Sequence, residues 1–488
     1  MNQVETRGVL QSLFNPRNIT IIGATADTSK WGNIIPGNIV GGGYKGRIYL
    51  VNPKNDFIHG IKVFRSVREI EDDLDLVVLT IPAAKAEAAV AECGERGCKA
   101  MIIIAGGFSE ADAQGAENEK RVVEIARRYG IRVVGPNTMG IYSAPLSLSA
   151  LMPPVRPKPG YISFASQSGN LGTQMLGWGS HRNIGFSRFV CIGNESDLRF
   201  KDYLDYFRHD DQTRVILLYV EGFKDPRSFM EVAVEAAAEK PIVMYKAGGT
   251  QAGRAAAASH SAALAGTQEI YEGFMQQIGV IRAETTEEML DFADALIKMP
   301  LPQGNRVGIL TWGGGWGVVT ADLCERQGME VAPLSAHSER ELGKLLPPYW
   351  SKGNPVDLVG LFDLDAHMRC LEIMVADDAY DGIISLGSIN ANLWVKEMAR
   401  REWSGMTDEE KSAVLERINS MSGVFIKKVA DLVEQHGKPI VTVGMPIQDE
   451  NIQDIPGQER LCMYSQPESA VRVMSMLWRR AAFLRGIA

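Results

Sequence analysis

The sequence predicts an α/β protein built on parallel sheets, and three observations carry that expectation. Short runs rich in Val, Ile and Leu alternate with segments of helical period. The runs are apolar enough for strands covered on both faces by crossover helices. Many of them end in Gly, Pro or Asn, which favours turns at the carboxyl edge of a sheet, where open α/β folds bind ligands.

In the first third the strands read as NITIIGA (18–24), RIYLVNP (47–53), LDLVVLTIP (74–82), KAMIIIAGG (99–107) and RVVGPN (132–137). The proline cluster PPVRPKPG (153–160) can continue neither a helix nor a central strand, so a junction is placed there. A second set follows with YISFASQSGN (161–170), VILLYVEG (215–222) and KPIVMYKAGG (240–249), closed by the helical segment TTEEMLDFADALIKM. After a break at PLPQGN (300–305), a third set restarts with RVGILTWGGGWG (306–317), DGIISLGSI (381–389) and KPIVTVGMP (438–446). Segment 396–435 is charged and helical in period and reads as a surface insertion. The length, 488 residues, suits roughly three domains.

A formal net charge of −8 argues against a surface built to neutralise nucleic-acid phosphates. The six cysteines, at 93, 98, 191, 324, 370 and 462, form no CxxC pair and have no His at ligand spacing, so neither a zinc site nor a disulfide framework is expected. They read as reduced thiols. With no apolar run long enough to span a bilayer and no signal-like start, a cytoplasmic location is expected.

Five segments could carry chemistry. IIGATADTSKWG places Gly23 directly after a strand, either as a tight structural turn or as a close approach for a phosphate. Lys54, in VNPKN, is either a solvated turn lysine or a cation at the same edge. FASQSGNLG runs from strand to helix, so backbone amides, the helix dipole and hydroxyls of Ser166 and Ser168 could meet an anion; simple capping would explain one serine but leave the second serine and the glycine unused, so the anion site is the preferred reading. GRAAAASHSAALAG surrounds His260 with small residues. Its imidazole could accept a phosphoryl group if a carboxylate fixed the tautomer, and Glu221 at the end of VILLYVEG is a candidate, although a structural role for each is equally compatible with spacing. Trp312 and Trp316, in TWGGGWG, could stack on a planar ligand or pack between layers. No GxxxxGK[ST] is present, and no GxGxxG follows the first strand, where the turn reads GATADTS, which argues against a P-loop site and an NAD-dependent oxidoreductase.

Taken in order, FNPRNITIIGAT, LVNPKND, TIPAA, AGGFSE, GPNTMG, ASQSGNLG, YVEG, ASHSAALAG and NPVDLVG resemble the ADP-forming acyl-CoA synthetase family, from about residue 14 to about residue 475. The resemblance implies a Rossmann-like CoA-binding domain (1–145), a ligase domain with a phosphohistidine loop (158–300) and a second flavodoxin-like domain (304–488). It implies phosphorylation at His260, held by Glu221, and a phosphate site at Ser166, Gln167, Ser168 and Gly169. Coenzyme A would be held by Gly23, Thr25, Lys54, Pro82, Gly107 and Asn137, with no metal on this chain. ATP or ADP and Mg would sit on an ATP-grasp beta-type partner subunit, the reaction being ATP + carboxylic acid + CoA ⇌ ADP + phosphate + acyl-CoA. The chain departs from the family pattern at TWGGGWG, where an Asn-Ala-Gly-Gly-Pro-Gly type of turn is commoner, and at NESDLRF, where a second acidic residue is commoner. A CoA-binding sensor or scaffold of the same fold, without turnover, is the competing expectation.

Overall fold

The computed structural model describes residues 3–253, 273, 275–361, 363–387, 407–444 and 457–486. It divides into two compact units, residues 1–293 and 294–488.

The first unit opens with helix α1 (Gln3–Phe14), strand β1 (Asn18–Ile22), α2 (Trp31–Gly42), β2 (Arg47–Val51), β3 (Phe57–Ile58), β4 (Ile61–Phe64), β5 (Leu76–Leu79), α3 (Ala86–Glu95), β6 (Ala100–Ile103), α4 (Ala113–Arg128) and β7 (Arg132–Val134). Its strands form one sheet in the order β3-β4-β2-β1-β5-β6-β7, parallel except for the β3–β4 pair. Every residue of LVVL in β5 and AMII in β6 is buried, as central parallel strands require. Helix α4 begins where the Asp112 carboxylate accepts from Gly115 N at 2.7 Å, and it turns Val122, Val123 and Ala126 to the core.

A second sheet of the same unit contains β8 (Gly140–Ser143), β9 (Leu148–Leu151), β10 (Pro159–Ser166), β11 (Phe186–Cys191), β12 (Val215–Val220), β13 (Ile242–Lys246) and β14 (Ile281–Arg282). Helices α5 (Gly169–His181), α6 (Phe200–His209), α7 (Pro226–Glu239) and α8 (Thr286–Lys298) accompany it, the last running across the division between the units. The order is β14-β13-β12-β10-β11-β8-β9; the hairpin β8–β9 pairs antiparallel onto β11, and the other pairings are parallel. This sheet therefore starts at Gly140, ahead of the proline cluster. Arg188, on β11 and 3% exposed, holds the hairpin edge: its guanidinium donates to Ser143 Oγ, to Phe14 O at 3.4 Å and to Asp210 at 3.2 Å. A buried cation survives only with such partners.

The second unit carries β15 (Val307–Thr311), α9 (Gly314–Arg326), α10 (Ala336–Leu342), β16 (Val356–Asp357), α11 (Leu364–Ala376), β17 (Gly382–Leu386), α12 (Asp408–His436), β18 (Ile440–Val443), β19 (Cys462–Tyr464) and α13 (Pro467–Leu484). Its sheet is parallel, in the order β16-β15-β17-β18-β19. The segment expected as a surface insertion is different at its carboxyl end. There α12 buries Phe425, Ile426, Val429, Leu432 and Val433, spaced for one helical face, so this half of the helix belongs to the core. Trp312 donates to the fully buried ring of His367, whose Nε2 lies 2.9 Å from Ser385 Oγ; Trp316 is exposed. Burial pushes the His367 pKa down to about 3, so the ring is neutral. All six cysteines are free and buried. Among the described residues no helix is long and apolar enough to cross a membrane.

Candidate active site

The site grows out of the turn after β10. Ser166 ends the strand fully buried, and its hydroxyl donates to Ser168 O at 2.7 Å, closing the turn. Ser168 is the cap of α5: its backbone is extended, and its Oγ accepts from Leu171 N at 3.4 Å. One serine thus braces the turn while the other caps the helix. The first amides of α5 and its positive dipole end face a cleft of about 410 Å³ lined by Gln167, Ser168, Gly169 and Asn170.

Gln167 links this turn to the end of β12. Its backbone N donates to Tyr219 O at 3.2 Å, and its side-chain Oε1 accepts from Glu221 N at 2.5 Å and Gly222 N at 3.1 Å. Its Nε2 donates to Gly222 O at 2.8 Å and to Glu195 Oε2 at 3.2 Å. Glu221 is buried beside it and lines the cleft. Below the cleft, Lys246 Nζ donates to Glu221 O at 2.6 Å, and burial lowers the Lys246 pKa.

The first sheet contributes the opposite wall. Asn137, just past β7 with φ of 57°, donates from its backbone to Ala105 O at 3.0 Å and from Nδ2 to Asn194 Oδ1 at 3.3 Å. Gly107, with φ of 93°, donates to Glu110 Oε1 at 2.6 Å. Burial drives the Glu110 carboxyl up, but bonds from Asn194 and from the backbone amides outweigh it and hold the pKa below the ordinary value. An apolar side is made by Trp31, Ile104, Met139 and Met152.

Of the residues singled out in the sequence, Asn137, Gln167, Ser168, Gly169 and Glu221 meet in this cleft. Gly23, Thr25, Lys54, Pro82 and Gly107 sit in the turns after β1, β2, β5 and β6, along the carboxyl edge of the first sheet, and do not line it. His260 lies outside the described residues. Glu195, Asn194 and Lys224 line the cleft and were not anticipated. For Asn194 and Glu195 the signal was the turn IGNESD after β11, where Gly193 and Glu195 both take positive φ, 64° and 55°. Burial pushes the Glu195 carboxyl up to about 7.

Glycines let the turn after β1 and the start of α2 close against each other at the carboxyl edge of the first sheet. Gly23 has φ of 95°, and a Cβ there would stand 2.7 Å from Thr80 Oγ1. A Cβ at Gly32 would stand 2.1 Å from Gly23 O, so strand end and helix start meet backbone to backbone. Thr25 N donates to Gly32 O at 3.1 Å, and Lys54 is an exposed cation at the neighbouring strand end.

Comparison with known proteins agrees with this layout. Residues 17–144 match the family model of a CoA binding domain, and residues 159–296 that of a succinyl-CoA ligase like flavodoxin domain. The chain is 36% identical to the acetate–CoA ligase [ADP-forming] I subunit alpha of Pyrococcus furiosus, over 96% of this chain and 97% of that protein. It is 38% identical to acetate–CoA ligase [ADP-forming] I of Archaeoglobus fulgidus, over 77% of this chain but 54% of that longer protein. Its fold matches the structure of the dinucleotide-forming acetyl-coenzyme A synthetase 1 of Ca. Korarchaeum cryptofilum, solved with phosphate and ADP, at a TM-score of 0.84 and 32% identity, covering 98% of both chains. A chain with a CoA-binding sheet, a ligase-type flavodoxin sheet and relatives matched over nearly their full length belongs to the family of ADP-forming acetate–CoA ligase alpha subunits.

Proposed function

We propose that this chain is the CoA-binding, transiently phosphorylated subunit of an acid–CoA ligase that couples ATP + carboxylic acid + CoA to ADP + phosphate + acyl-CoA. The observation that carries the reading is the convergence, in one cleft, of the α5 amino terminus with Glu221 through the side chain of Gln167. Phosphoryl transfer needs chiefly positioning and charge stabilisation. The α5 amides supply the charge stabilisation, and the Ser168 cap holds that helix end in place. In this reading His260 lends an imidazole nitrogen to the phosphoryl group of an acyl phosphate, and the Glu221 carboxylate holds the ring in the tautomer that leaves that nitrogen free.

CoA lies along the carboxyl edge of the first sheet. The turns at Gly23, Thr25, Pro82 and Gly107 approach it through the backbone, and Lys54 and Asn137 approach it through side chains. The nucleotide, with its Mg, belongs to an ATP-grasp partner. In support, the chain matches nearly all of the separate alpha subunit of Pyrococcus furiosus but about half of the longer Archaeoglobus fulgidus relative. Six buried free thiols support action in a reducing cytoplasm.

The test is labelling of the purified chain from radioactive phosphate and a panel of acyl-CoA esters, with and without the ATP-grasp partner, on wild type and His260→Ala. Acid-labile label on the wild type alone is expected, strongest with the physiological acyl group. Absence of label from a wild-type chain that still binds CoA would replace this reading with that of a CoA-binding scaffold.

A further inference from the structure

We propose that Glu195 is a positioning residue for this reaction: by accepting from Gln167 it completes, with the backbone of Glu221 and Gly222, the set of partners that holds that amide in one orientation, and so sets the wall of the phosphoryl site. The inference rests on the function proposed above.

The geometry is directional. The Gln167 side chain makes four bonds, accepting twice on Oε1 from the amides of Glu221 and Gly222 and donating twice from Nε2 to Gly222 O and Glu195 Oε2. A flipped amide would set its NH₂ against two N–H donors and its oxygen against a carbonyl and a carboxylate. The backbone of Glu221 and Gly222 favours one orientation, and an ionised Glu195, which can only accept, reinforces it with a charge-assisted bond at the remaining N–H. Its other oxygen accepts from Phe200 N at 3.1 Å at the start of α6, which anchors the carboxylate to the scaffold.

The chain maintains this arrangement at a cost. Glu195 is 3% exposed and has a left-handed backbone, a conformation that non-glycine residues adopt rarely and that collects at functional sites. Burial also raises its pKa to about 7, so the carboxylate is half protonated near neutrality. The cations facing it are Lys224, Arg199 and Lys201, the first two lowering its pKa; Glu221 shares its cleft, Asp225 its rim, and Tyr203 of α6 interacts with it electrostatically. Protonation adds an O–H donor next to Gln167 Nε2 and weakens the constraint. Turnover should therefore carry an acid limb near pH 7 that belongs to Glu195.

The experiment compares wild type, Glu195→Gln and Glu195→Met, each assembled with the ATP-grasp partner, in steady-state acyl-CoA synthesis from pH 5.5 to 9, an interval of about 1.5 pH units or more either side of that pKa. Melting temperatures establish that each variant is folded. The expected result is a fall in kcat of about tenfold to a hundredfold at pH 8 in both variants, with little change in KM for CoA. The acid limb near pH 7 should vanish from both. Variants that retain the wild-type limb, or that lose CoA affinity in step with kcat, would overturn the inference. A wild-type complex without turnover would instead overturn the function on which it rests.

Discussion

Replacing Gly32 by Ala tests the backbone cradle of the first sheet. The added Cβ would lie 2.1 Å from Gly23 O and 3.1 Å from its carbonyl carbon. A carbon–oxygen contact needs about 3.3 Å, so the start of α2 must withdraw by about 1 Å. Both sides of the contact are backbone, and no side chain can rotate away. Overpacking of this kind costs about 1–3 kcal/mol, and the rigid contact places Gly32→Ala near the upper end. The helix gains up to about 1 kcal/mol from alanine, leaving a net loss of about 2 kcal/mol. At about 2–4 °C per kcal/mol for a domain of this size, the first unit should melt about 4–8 °C lower. Calorimetry is the suitable assay because two units can unfold in separate transitions. Titration with CoA should show affinity reduced at least tenfold, since the displaced backbone forms the proposed phosphate cradle. Gly177→Ala is the control: it lies within α5, nothing stands within 4 Å of its added Cβ, and it should stabilise slightly. If Gly32→Ala behaved like Gly177→Ala and bound CoA as wild type does, the cradle argument would fail.

Two further outcomes follow from buried charge. The Asp197 carboxylate, 2% exposed, accepts from Arg132 Nε at 2.7 Å, Arg127 Nε at 3.1 Å and Val133 N at 3.0 Å. Asp197→Ala should cost about 3 kcal/mol in urea unfolding, the low end for a broken buried pair, because Arg132 is left largely buried with only Asp202 at 3.8 Å and Thr6 Oγ1 at 2.9 Å as partners; a loss below about 1 kcal/mol would refute this. In the second unit, folding depresses the His367 pKa to about 3, so the unfolded chain takes up a proton that the folded chain refuses. Stability is therefore full above about pH 6.5 and erodes as pH falls, by roughly 2–3 kcal/mol between pH 7 and pH 4.5. His367→Asn should remove that slope, and an unchanged slope would place its origin elsewhere.

The apolar runs at 18–24, 74–82, 99–107 and 215–222 announced their strands because a buried parallel strand must be apolar on both faces. The turn at FASQSGN was legible for the same local reason: a serine and a glycine between strand and helix are cap chemistry. The hairpin β8–β9 was not, since GIYS and LSAL are four-residue strands with weak patterns of their own, the second of them at the sheet edge. The long charged segment before residue 436 was misread at its end because its apolar face, from Phe425 to Val433, sits inside a strongly polar helix.

The site divides along the same line. Candidate residues were recognisable where their chemistry is local, as with Ser168 capping its own helix and Gly23 turning directly after its own strand. The turn that holds Glu195 is visible in the sequence, but the role of Glu195 is not, because it comes from partners 28 residues away at Gln167 and, through that amide, 54 residues further on at Glu221. Backbone period and turn chemistry act over a few residues and are written into composition. Burial of a carboxylate, and the fixed direction of an amide between two others, exist only once separate strands bring their ends to one edge of a sheet.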